Sequence, residues 1–179
     1  MASLTRLFLM AAFVLVIFSA GNSSMAQSFG DAFVGVGDND EPVNIEAERL
    51  EVIDKQKTAV LSGNVKVIQG TTVVRSKEMR IFYFAEDTQK QTRSGIERIE
   101  ISGGVDIRSN DNTAKADQAV INLVSNEAVL TGNIILSQGE NMAEACSLWV
   151  DLNTRHTKLN HACDDRIKIY TRPSANEAQ

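Results

Sequence analysis

Proline is nearly absent: Pro42 and Pro173 are the only two in 179 residues. Between them no residue lacks a backbone N–H, so any strand in that interval can donate to both of its neighbours. Cysteine is equally scarce, with Cys146 and Cys163 alone. That excludes a disulfide-dense scaffold and an all-cysteine zinc site. The chain holds no C-x-x-C, no H-E-x-x-H, no G-x-S-x-G and no phosphate-cradling glycine loop. Its two histidines, His156 and His161, stand with Cys163 at a spacing that fits no structural zinc pattern. The net charge of −5 gives no overall attraction to nucleic acid or to an anionic membrane. Scattered carboxylates form no privileged pair. The expectation is a protein that is not an enzyme and needs no cofactor, no metal and no nucleic acid.

One long apolar run occurs, Leu7 to Phe18, preceded by Arg6 and followed by Ser24-Met25-Ala26. It falls short of the roughly 20 apolar residues that span a membrane, and small residues follow at cleavage-site spacing. Residues 1–26 therefore read as a signal peptide, which places the remainder outside the cytoplasm. Residues 27–42 are rich in Gly and Asp and read as a flexible N-terminal arm. Phe29, Phe33, Val34 and Val36 on it could dock on a partner or on the domain's own apolar opening. Residues 172–179 read as a C-terminal tail, leaving 43–171 as one domain.

What fills that domain is a repeat. Ala59-Val60-Leu61-Ser62-Gly63-Asn64-Val65-Lys66-Val67-Ile68-Gln69-Gly70 returns 69 residues later as Ala128-Val129-Leu130-Thr131-Gly132-Asn133-Ile134-Ile135-Leu136-Ser137-Gln138-Gly139. A weaker copy, Ile101-Ser102-Gly103-Gly104-Val105-Asp106-Ile107, lies between. Apolar residues alternate with polar ones throughout, the signature of half-buried strands. Pairing first-strand anchors Leu50, Met79, Ala119 and Leu148 with Leu61, Ile101, Leu130 and Leu159 gives four hairpin units. Their period is 29 residues, broken once by a polar insertion at 86–95 in the second unit. One apolar face per strand requires two sheets to face each other. The fold class is all-β: an open, repeat-built β-jelly roll of mainly antiparallel strands around an aliphatic interior. No capping helix is visible, so both ends of the stack invite strand addition by other proteins.

The cysteines fit this scheme. If the last hairpin turns at Asn153-Thr154-Arg155-His156, Leu152 faces Thr157, and Cys146 then lies opposite Cys163 within disulfide range. The competing reading is two free buried thiols.

Val43-Asn44-Ile45-Glu46-Ala47-Glu48-Arg49-Leu50-Glu51, the Ser-Gly-Asn-Val strand, Gln69-Gly70 and Met79-Arg80-Ile81 together resemble the OstA-like family, over about residues 42–170. That family includes the periplasmic bridge proteins of lipopolysaccharide transport in Gram-negative bacteria. The resemblance implies an open jelly roll that takes the acyl chains of lipid A into an apolar groove. It implies head-to-tail association into homo-oligomers. The N-terminal edge would meet an inner-membrane transport partner and the C-terminal edge an outer-membrane translocon. Groove candidates are Val43, Ile45, Val52, Leu61, Val65, Val67, Met79, Ile81, Tyr83, Ile101, Val105, Ile107, Ile121, Leu123, Ile134, Leu136, Leu148, Val150 and Leu152. Arg75, Lys77, Arg80 and Arg108 are candidates for glycolipid phosphates at the rim. Paired cysteines are not part of the family pattern. Three alternatives stay open: a connector of the same fold filled by side chains, the periplasmic domain of the inner-membrane partner, and a β-solenoid acting on carbohydrate.

Overall fold

A computed structural model of the chain describes residues 41–84, 95–160 and 166–172. The expected signal peptide, most of the expected arm, nearly all of the polar insertion, His161, Cys163 and the expected tail lie outside the described residues. Eleven strands form one continuous antiparallel sheet. They are β1 (Val43–Glu46), β2 (Arg49–Ile53), β3 (Thr58–Gln69), β4 (Thr72–Tyr83), β5 (Ile96–Ser109) and β6 (Asn112–Ala116). β7 (Gln118–Asn122), β8 (Glu127–Gln138), β9 (Asn141–Asp151), β10 (Thr157–Asn160) and β11 (Lys168–Tyr170) follow. The only helical element among the described residues is a 3-10 turn, Asp54–Gln56.

The sheet is bent along a single line, and the repeated glycines mark it. Gly63-Asn64 on β3, Gly103-Gly104 on β5 and Gly132-Asn133 on β8 are two-residue bulges. The first two both oppose Lys77 of β4, and the third opposes Cys146 of β9. All six residues have positive φ, from +43° to +94°. That backbone is open to glycine and tolerated by asparagine. The bulges kink their strands and increase the local twist. At two other places on this line the chain breaks between two short strands instead. β1 hands over to β2 around Glu48, and β6 to β7 at Asp117. Glu48 N–H donates to the Gly63 carbonyl at 3.0 Å, and Asp117 N–H to the Gly132 carbonyl at the same distance. The Asn64 amide donates to the Glu48 carboxylate. At the repeat, the Asn133 amide donates to Asp117 Oδ2 at 2.9 Å.

The bend divides the sheet into two facing halves. One half runs β2, lower β3, upper β4, lower β5, β7, lower β8, upper β9, β10. The other runs β1, upper β3, lower β4, upper β5, β6, upper β8, lower β9, β11. The four anchor pairs expected from the repeat are all direct partners: Leu50 with Leu61, Met79 with Ile101, Ala119 with Leu130, and Leu148 with Leu159. Two-residue turns close three hairpins of the second half at Gly70-Thr71, Asn110-Asp111 and Gly139-Glu140. The first residue of each has φ near +50° to +57°, matching the twist of the strands they join. Between the halves lies an aliphatic core in which Ile107, Leu130, Leu136, Leu148 and Val150 are fully buried.

Two expectations need correction. Alternation does not run unbroken through every strand. A bulged strand keeps its parity across the bend, so Leu61, Val65 and Val67 all face inward. The strand opposite the bulge loses one residue there and changes parity: β4 buries Val74 below the bend and Met79 above it. β9 does the same with Ala143 and Leu148. The second correction concerns the last hairpin. Thr157 pairs with Val150, not Leu152, because Asp151 N–H bonds to the His156 carbonyl at 2.9 Å and the turn begins one residue earlier. The described register therefore does not carry the argument that set Cys163 opposite Cys146. β11 then resumes in a different register, with Lys168 opposite Glu144. Cys146 is disulfide-bonded, but direct opposition in one ladder does not supply the reason.

Candidate functional site: an apolar cleft between the half-sheets

The aliphatic interior is not filled evenly along the stack. Around β8 and β9 it is closed by side chains: Leu130, Ile134, Leu136, Leu148 and Val150 are all 1% exposed or less. At the β1–β2 end it opens. Val43 and Ile45 on β1 pair with Gln69 and Val67, and Leu50 and Val52 on β2 pair with Leu61 and Ala59. These registers turn all four side chains inward, yet they are 42–61% exposed, because no further strand among the described residues covers them. Val43 and Ile45 are the jaws of a cleft of about 120 Å³. Its walls are Val43, Ile45, Val67, Gln69, Thr72, Val74, Met79, Ile81, Ile96, Ile99, Ile101, Ile121 and Leu123.

Of the groove candidates, Val43, Ile45, Val67, Met79, Ile81, Ile101, Ile121 and Leu123 line this cleft. Leu61, Val65, Val105, Ile107, Ile134, Leu136, Leu148 and Val150 are core. Tyr83 and Leu152 pack half-buried against the core, and Val52, opposite Ala59, is exposed and not among the cleft walls. Sequence reasoning missed Val74, Ile96 and Ile99 as cleft residues. Val74 was hidden by the parity change in β4. Ile96 and Ile99 lie just after the polar insertion, where no repeat copy gave the alternation a phase.

The four basic candidates do not gather at the cleft. Arg75 and Arg108 lie on the outer surface of the β1-containing half, Lys77 at the bend and Arg80 on the outer surface of the other half. Arg80 Nε pairs with Glu78 at 2.9 Å and Arg108 Nε with Asp106 at 2.8 Å, both along one strand at i and i+2. The Arg108 hydrogen bond, with support from the nearby Lys115 and Arg75 charges, holds the Asp106 carboxyl below its ordinary value despite partial burial. These are solvated pairs that decorate the sheet faces. Among the described residues no cluster of His, Cys, Asp and Glu could hold a metal ion.

At each end the outer edge of the last strands has no partner strand among the described residues. β1 and β2 pair only with β3, and β10 and β11 only with β9. Ile169 on β11, opposite Ala143, repeats at the far end the exposed, inward-turned position of β1. Such edges are templates for a further strand. No helix among the described residues is long and apolar enough to cross a membrane.

Residues 44–156 match the family described as LptA/(LptD N-terminal domain) LPS transport protein. An uncharacterised protein of Rhizobium meliloti (strain 1021) is 33% identical over 159 residues, 87% of this chain and 85% of the relative. Among solved structures, the chain is similar to LptH of Pseudomonas aeruginosa, described as the LptA-homologous periplasmic component of the lipopolysaccharide transport device. The two superpose with a TM-score of 0.63 at 20% identity, over 76% of this chain and 99% of that one, a likeness that shows a shared fold. Matched over most of its strands and one-third identical to a relative of its own length, the chain belongs to the LptA/LptD N-terminal domain family of lipopolysaccharide transport proteins.

Proposed function

We propose that this protein carries lipopolysaccharide through the periplasm, with lipid A acyl chains entering the cleft between the half-sheets. The observation that carries the reading is the unevenly filled interior. In a family of lipopolysaccharide transport proteins, a fold that leaves Val43, Ile45, Ile96 and Ile99 around an open apolar space offers acyl chains a place out of water. Each methylene buried contributes about 0.8 kcal/mol, so a few from each chain suffice for reversible retention. Directional movement draws on energy supplied by other components, since the sequence offers no nucleotide-binding loop.

The unpaired edges support the bridging part of the proposal. The β1–β2 edge would receive the inner-membrane partner, the β10–β11 edge the outer-membrane translocon, and the two edges of successive copies would join head to tail. The signal-peptide pattern at residues 1–26 supports export. Depletion in the native cell tests the whole reading: newly made lipopolysaccharide is expected to stall short of the outer surface. Normal surface delivery without the protein would contradict it.

The filled half of the interior favours a second reading, a connector whose edges alone are functional. Ile45→Asp separates the two. It places a charge in the jaw while leaving the β1 backbone free to pair. A carrier loses lipopolysaccharide binding about tenfold or more, since an unpaired charge set against apolar chains costs several kcal/mol. A connector keeps its function.

A further inference from the structure

The chain enters the described fold at the mouth of the cleft. The Gln69 side-chain amide, itself part of the cleft wall, donates to the Glu41 carbonyl at 3.3 Å. The Glu41 carboxylate covers Gly70, where any Cβ would collide with it. The point from which the preceding residues depart is therefore fixed beside the exposed jaws Val43 and Ile45. Those preceding residues, 27–40, lie outside the described residues. They carry Phe29, Phe33, Val34 and Val36 with Asp31, Asp38 and Asp40, and no Lys or Arg. An acidic segment with two phenylalanines has little reason to hold them in water when an open aliphatic cleft adjoins its anchor.

We propose that the chain's own residues 27–40 turn back into the cleft, Phe29 and Phe33 foremost, when no ligand occupies it. Reach permits this. Eight residues from Glu41 to Phe33 extend to about 29 Å at most. From β1, where the tether starts, to β5 is three strand spacings, about 14 Å, and the facing half-sheet lies about 10 Å across the interior. A tether this short keeps the phenylalanines at millimolar effective concentration, so weak contacts suffice and a second copy competes poorly. The arm would then compete with acyl chains for the same walls. That consequence rests on the carrier reading, whereas the docking itself does not.

The test uses the chain beginning at Gln27, with benzoylphenylalanine in place of Phe33 and irradiation of a mixture of isotopically light and heavy protein. Adducts within one copy, to peptides containing Ile96–Ile101 or Ala119–Leu123, are expected. No adduct, or adducts only between copies, would overturn the proposal. Deleting residues 27–40 provides a second measurement. A plug in place nine-tenths of the time weakens apparent affinity about tenfold, so 1-N-phenylnaphthylamine should bind roughly that much tighter to the shortened chain. Equal affinity overturns the proposal. Lipopolysaccharide is then added to the benzoylphenylalanine protein. Loss of the internal adduct supports competition; an adduct that persists at saturation overturns the competition and with it the lipid assignment of the cleft, while the docking stands.

Discussion

Gly63 and Gly132 show at single-residue scale why the repeat has the sequence it has. Their φ values are +79° and +75°, and a Cβ at either would collide with the facing acid, Glu48 or Asp117. Gly139, at φ +54°, has nothing within 4 Å of the same position. Gly63→Ala should therefore cost about 1–3 kcal/mol of backbone strain plus the collision, and Gly139→Ala distinctly less. Urea midpoints of the two variants check the order. Asp106 gives a pH prediction. Its folded value lies below the ordinary 3.8 chiefly because Arg108 hydrogen-bonds it. The stabilisation is thus complete above about pH 4 and is lost as pH falls through the depressed value. Asp106→Asn should flatten the acid limb of the stability profile and leave the shape at neutral pH unchanged. A profile with the same acid limb would contradict the pairing. At this scale the sequence was informative where a residue type has one physical use. The Ser-Gly-Asn and Thr-Gly-Asn triplets announced special backbone, but their acidic partners, 16 residues earlier in each case, had no local signal.

Strands were legible because alternation is local, and hairpin register because the anchors recur at fixed spacing. What alternation cannot encode is the bend. Whether a strand supplies one residue or two at the bulge decides its parity beyond it, and that depends on its neighbours. For this reason Val74 escaped notice while Val65 did not. The same limit misplaced the turn after β9 by one residue, enough to remove the simple argument for Cys146 facing Cys163. Cys146 is disulfide-bonded all the same, and Cys163 is the one other cysteine in the sequence. The bond would close a loop of about 18 residues that carries β10 and leads into β11. Such closure is worth about 3 kcal/mol in the chain-entropy model. Alkylation of the denatured protein without reductant should leave both cysteines unmodified, and reduction should raise amide exchange in β10 and β11 before β8. Two alkylated thiols would contradict the bridge.

For the molecule as a whole, the contrast between a closed half and an open half is the feature that no strand shows alone. Leu136 and Leu148 are wholly enclosed, whereas Val43 and Val52 face the same interior and remain more than half exposed. Leu136→Ala should cost about 2–5 kcal/mol through the cavity it leaves, while Val43→Ala should cost under about 1 kcal/mol, since little burial is lost. Thermal unfolding of the pair measures the asymmetry directly. The interior was foreseeable from one apolar face per strand. Which end stays open was not, because that depends on where the stack of strands stops and on how completely each layer fills.

Photo-crosslinking to lipopolysaccharide in living cells tests the central claim most directly. Benzoylphenylalanine at Val67 or Ile99, inside the cleft, should yield lipopolysaccharide adducts, and at Ile135 or Arg108, on the outer face, should yield none. Adducts at the outer positions with none in the cleft would contradict the account.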